Sequence, residues 1–249
     1  MRLALFASLA LTSAAFAHGF VMPSLPVPAT PAGAQQLLQA LTCSESPAAH
    51  PGDPLPFPMR GEPVTAPAGS VGRLRLFEYT NDGVDTAHQY NACGQAAIST
   101  ALTGVGAKPE DPSDGVMKDV YAHFPPDILF GKFGTSWKQV QRGLTSNHVK
   151  WRWVEGEDAL MDTLRHGMLA MVMLDIGATV DEGWGSLGAH WTVIYAADQR
   201  GVYLSNWPRD GHCTWANLRR GWDTVLTRAF YGAAPWQHHQ WFLVPWIPR

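Results

Sequence analysis

The sequence predicts an α+β domain, with a leading helix and further helices ahead of a closing set of antiparallel strands. Three observations predict it. A helical stretch spans Asn91 to Leu102. A continuous apolar run, Met168–Asp175 (MLAMVMLD), reads as a strand buried on both faces. Two strand-like segments, His190–Ala197 and Val202–Asn206, are joined by the turn Asp198-Gln199-Arg200-Gly201.

The chain has 249 residues, 46% of them hydrophobic and 16% charged, which supports one domain with a real core. A net charge of -3 carries no electrostatic footprint for nucleic acid or anionic lipid. Residues 1–17 read as a secretory signal: Met1-Arg2, an apolar run from Leu3 to Ala15 too short for a bilayer span, and small residues in Ala15-Phe16-Ala17. The mature protein is expected to be secreted or periplasmic, a monomer, and without a membrane partner.

Residues 18–70 form a Pro-rich arm or linker, because each proline removes a donor and fixes φ. The domain is expected over 71–249. Val71–Tyr79 alternates as a strand. Asn91 is expected to cap a helix from Ala92 to Leu102, stopped by Gly104. Thr135 or Ser136 caps a second helix with Trp137, Val140, Gln141 and Leu144 on one face. Val149, Trp151 and Trp153 alternate with Lys150 and Arg152 as a half-buried strand. Glu157–His166 reads as a helix ended by Gly167, and Ile176–Gly188 as a Gly-rich loop. Thr214–Trp222 is expected as a short helix and Trp241–Trp246 as the last strand.

There are three cysteines, Cys43, Cys93 and Cys213. In an oxidising compartment the economical partition is a Cys43–Cys213 bridge with Cys93 as a thiol. Cys93 falls in the first turn of the expected helix, where backbone N–H groups and the helix dipole favour a thiolate. Gly94 leaves room beside the sulfur for a substrate carbonyl. His190 opens an apolar strand, and Asn206, ending the next, comes to lie beside it. An amide there could accept from one imidazole nitrogen and leave the other toward the thiol. A sulfur, a base and an orienting group is the arrangement acyl transfer needs.

Three segments then carry a resemblance: Asn91-Ala92-Cys93-Gly94-Gln95-Ala96, His166-Gly167-Met168-Leu169-Ala170-Met171-Val172, and Ala189-His190-Trp191-Thr192-Val193-Ile194-Tyr195 followed by Leu204-Ser205-Asn206-Trp207. Together, in this order, they resemble the C39-like branch of the papain-like cysteine peptidases over roughly Val71 to Pro245. The resemblance implies Cys93 as nucleophile, His190 as base and then acid, Asn206 as orienter, and no metal or organic cofactor. The family's oxyanion-hole Gln, about six residues before the nucleophile, is replaced here by Ala87, and Gln89 is the nearest donor. The implied substrate is a peptide or a cell-wall peptide stem. Trp137, Trp184, Trp191 and Trp207 are candidates for a cleft wall, with core packing the competing role. The alternative reading is a catalytically inactive papain-fold binding module. His18, the residue after the expected cleavage, and the adjacent His238-His239 lack the spacing and context of a metal site.

Overall fold

The computed structural model describes residues 61–81, 91–128, 134–182, 188–207, 211–231 and 240–248. The chain divides into two compact units, Met1–Ser44 and Glu45–Arg249. The first lies wholly outside the described residues, as do the expected signal segment and Cys43.

The second unit is a mixture of helices and antiparallel sheet, as its element order in sequence implies. Its strands are β1 (Glu62–Thr65), β2 (Val71–Gly72), β3 (Arg75–Glu78), β4 (Lys150–Glu155), β5 (Ala170–Asp175), β6 (Ala189–Ala197), β7 (Gly201–Leu204), β8 (His212–Thr214) and β9 (Trp241–Trp246). Its helices are α1 (Cys93–Gly104), α2 (Gly115–His123), α3 (Trp137–Ser146), α4 (Glu157–Arg165), α5 (Trp215–Trp222) and α6 (Val225–Tyr231). The main sheet runs β4-β9-β5-β6-β7-β8, every neighbouring pair antiparallel, with β2 added to β6. β1 and β3 form a separate two-stranded ribbon.

Strand alternation divides the core between the two faces of the sheet. Met171, Met173, Trp191, Val193, Tyr195 and Leu243 pack with α1, α2, α3 and the ribbon. Ala170, Val172, Leu174, Ile194, Phe242 and Val244 pack with Leu160 and Leu164 of α4 and Leu218 and Trp222 of α5. Burial on both faces is why β5 reads as an unbroken apolar run rather than an alternating one.

Several expectations are corrected in detail. Asn91 does not cap α1. Ala92 holds the cap position and no side chain caps it. Ser136 does cap α3, accepting from the Gln139 N–H at 3.2 Å, and Thr214 caps α5 in the same way. Regular structure starts earlier than Val71: Glu62–Thr65 pairs with Arg75–Glu78, and Pro63 is tolerated because β1 has a strand on only one side. The expected Val71–Tyr79 strand is two strands, β2 and β3. Ile176–Glu182 winds into 3-10 structure rather than loop, its first amides satisfied by the Asp175 carboxylate. Cys213 is buried, and its thiol donates to the Thr214 carbonyl at 3.7 Å.

Candidate functional site

α1 is the central helix. All its residues from Cys93 to Thr103 are buried. Ala96, Ala97 and Ala101 let it press close to the sheet, and the Tyr79 N–H ties β3 to its Thr100 hydroxyl at 2.9 Å. Its first turn is held from the side. Gln95 donates to the Phe124 carbonyl at 2.6 Å and accepts from the Thr135 hydroxyl at 3.1 Å. A Cβ on Gly94 would lie 2.4 Å from the Thr135 Cβ. The glycine is therefore required by packing against Thr135, whereas the sequence suggested room for a substrate. Trp191 completes this corner by donating its indole N–H to the Thr135 carbonyl at 2.8 Å.

These contacts bring the Cys93 sulfur to the edge of β6. The backbone N–H groups of Trp191, Gly94 and Cys93 itself face it. The Trp191 amide lies on the β7 side of β6, since two residues on Val193 bonds there to Ser205. β7 ends at Leu204, and Asn206, in a left-handed conformation with φ 49°, turns the chain away. Among the described residues the β6–β7 pairing stops short of Trp191, and the Trp191 amide faces the Cys93 sulfur.

His190 is the residue before Trp191 and meets the same edge. It starts on the opposite face of the sheet from α1, opposite Leu174, and its ring reaches Asn206, just past the end of β7. Its Nε2–H donates to the Asn206 backbone carbonyl at 2.8 Å. A carbonyl only accepts, so the proton is on Nε2 and Nδ1 is the ring's acceptor, the nitrogen nearer the β6 backbone. Trp207 stands against the ring with centroids 5.9 Å apart and a 59° tilt, covering the hydrogen bond.

Asn206 thus accepts from the imidazole, but through its main chain and not through the side-chain amide that the sequence suggested. The side chain is engaged elsewhere, with Nδ2 donating to the Asn81 side chain at 2.9 Å. Its backbone N–H donates to Glu78 Oε2 at 2.7 Å. Glu78 and Asn81 come from the end of β3 and the residues after it, and sequence reasoning missed both. The signal was a carboxylate between Phe77 and Tyr79 in an apolar strand end. Gln89 lies outside the described residues, as does Trp184. Trp191 and Trp207 are core residues, and Trp137 is half-buried.

Electrostatics follow from burial. Cys93 is 7% exposed and His190 4%. Burial raises the Cys93 thiol, against the pull of the three facing amides. Burial lowers His190 to about 4, against the hydrogen bond to Asn206. At neutral pH burial thus keeps Cys93 a thiol and His190 a neutral imidazole. Burial raises Glu78 to about 7, the Asn206 amide opposing and Glu62 adding to the rise.

No protein-family model matches the chain, and no curated protein matches it. Among solved structures, the chain is similar to a crystal structure from Bacillus anthracis described as a "putative C39-like peptidase". The identity is 13%, the TM-score 0.43, and the match covers 64% of this chain and 90% of the other.

Proposed function

We propose that this chain is a papain-like cysteine hydrolase of the C39-like kind that cleaves amide bonds in peptides. The observation that carries the reading is where β6 meets the two residues, with the Cys93 sulfur at the Trp191 amide and His190 one position before it. The Cys93 sulfur sits against the Trp191 amide, and the adjacent His190 is held by Asn206 with Nδ1 as its acceptor. In this reading Nδ1 takes the thiol proton as Cys93 attacks the scissile carbonyl. The protonated imidazole then gives that proton to the leaving amine, and the acyl group remains as a thioester. Water, deprotonated by the same nitrogen, releases the acid and restores the thiol. The Cys93 N–H and the Gln89 side chain are the donors assigned to the oxyanion. Export to the periplasm or beyond belongs to the same proposal and rests on the Leu3–Ala15 run and the small residues after it.

The burial of both Cys93 and His190 favours a second reading, an inactive binding module on this fold. Hydrolysis of a mixed peptide library by the purified protein, compared with Cys93→Ser, separates the two. The hydrolase reading expects products from the parent and at least a thousandfold fewer from the variant, as for loss of a covalent nucleophile. Equal product from both ends it.

A further inference from the structure

We propose that Glu78 is a positioning residue, which fixes Asn206 so that the Asn206 carbonyl holds the imidazole of His190 in register with Cys93. The proposal rests on the functional reading above and adds a residue not named there.

The geometry is a chain of contacts across three elements. Glu78, at the end of β3, accepts the Asn206 N–H at 2.7 Å, and Asn206 in turn accepts His190 Nε2–H at 2.8 Å. Asn206 needs such a hold. Its φ of 49° is a conformation that side chains disfavour, and it sits just where the chain has left the sheet and lost its ladder bonds. Asn81 grips its side chain from the same segment at 2.9 Å. Glu78 is itself fixed, because the next residue, Tyr79, is bonded to Thr100 of α1. The carboxylate thereby links the helix that carries the sulfur to the turn whose carbonyl holds the base.

A buried carboxyl is a costly choice for a purely structural acceptor, since an amide or hydroxyl would satisfy one N–H. What a carboxyl adds is charge. Ionised Glu78 strengthens its bond from Asn206 and, as a buried negative charge behind the residue that holds the ring, favours positive charge on His190 through space, so His190 becomes the stronger base. The groups that bear on Glu78 are Glu62, directly opposite on β1, the Asn206 amide, and the uncharged α1 face at Thr100. With Glu78 titrating near 7, the base gains strength as pH passes through neutrality.

The test is the rate of iodoacetamide alkylation at Cys93, read peptide by peptide by mass spectrometry between pH 5.5 and 8.5. Parent, Glu78→Gln, Glu78→Asp and His190→Ala are compared. Above the steady rise that thiol ionisation gives every variant, the parent rate relative to Glu78→Gln should step up about tenfold near pH 7, the size expected for a nearby unit charge in a site of intermediate dielectric. Glu78→Gln, which still accepts but does not ionise, should lose the step, and Glu78→Asp should keep one. A step that persists in Glu78→Gln, with His190→Ala slowed, overturns the role of Glu78 and leaves the hydrolase reading intact. His190→Ala labelling as fast as the parent at every pH overturns the hydrolase reading itself. Should Glu78→Gln fail to fold, the parent suffices. The nitrogen-15 signals of the His190 ring must move as the Glu78 carboxyl titrates, and a ring indifferent to that titration refutes the proposal.

Discussion

Replacing Glu78 by Gln should change how stability depends on pH more than it changes stability at any one pH. In the folded protein Glu78 is raised from an ordinary 4.5 to about 7. A group raised on folding adds stability that is fully present below its unfolded pKa and lost as pH climbs through the folded one. Glu78 therefore removes about 3 kcal/mol between pH 4.5 and just above 7. His190 works in the opposite sense. Lowered from 6.5 to about 4, it adds stability that is present above 6.5 and lost as pH falls through 4, again about 3 kcal/mol. In the parent the two trends offset each other between pH 4.5 and 6.5. Glu78→Gln removes the falling trend and keeps the hydrogen-bond acceptor. The stability difference between variant and parent should thus grow by about 3 kcal/mol in the variant's favour from pH 4 to pH 8. Urea unfolding at half-unit pH intervals measures it, and titrating groups that do not interact with Glu78 cancel in the difference. Parallel curves for the two proteins would show that Glu78 is not buried as a proton-binding group, and the reasoning from burial would fail.

Two further outcomes follow from the site's geometry. Asn206→Gly keeps the carbonyl that receives His190 and suits the φ of 49°; it should retain more of the Cys93 alkylation rate than Asn206→Ala, which strains that backbone by about 1 kcal/mol. If both variants fall equally, the orienting group is the side chain after all. Gly94→Ala forces a methyl to within 2.4 Å of the Thr135 Cβ, a buried β-branched side chain. It should destabilise the protein by about 1–3 kcal/mol in urea unfolding, and an unchanged midpoint would contradict the packing described for that corner.

Much of the fold was legible because periodicity reports burial. β9 matches its expected bounds, and β4, β5, β6, α3 and α5 lie within a residue or two of theirs, each having either strict alternation, an unbroken apolar run or a Ser/Thr cap. α2 escaped notice because it buries few side chains and Asp114, before it, sits at φ 60° without a side-chain cap bond; α6 escaped because it is only seven residues long, although Thr224 caps it by accepting the Thr227 N–H at 3.2 Å. β1 was hidden by Pro63, which argues against a strand unless the strand lies at an edge. Within the site, the types and order of Cys93, His190 and Asn206 were readable, since the turn between β6 and β7 fixes which residues lie side by side. The atoms were not. Whether Asn206 uses its carbonyl or its amide depends on a single positive φ, and Glu78 reaches it across 128 positions of sequence. Neither leaves a local pattern.

The central claim is that His190 serves the Cys93 sulfur as its base, and the most direct measurement is the Cys93 alkylation rate at pH 7.5 in the parent and in His190→Ala. The account expects the variant to react at least tenfold more slowly with its fold intact by circular dichroism, as for loss of a positioned base. Equal rates in the two proteins would mean that the imidazole and the sulfur share an edge of β6 without sharing a proton.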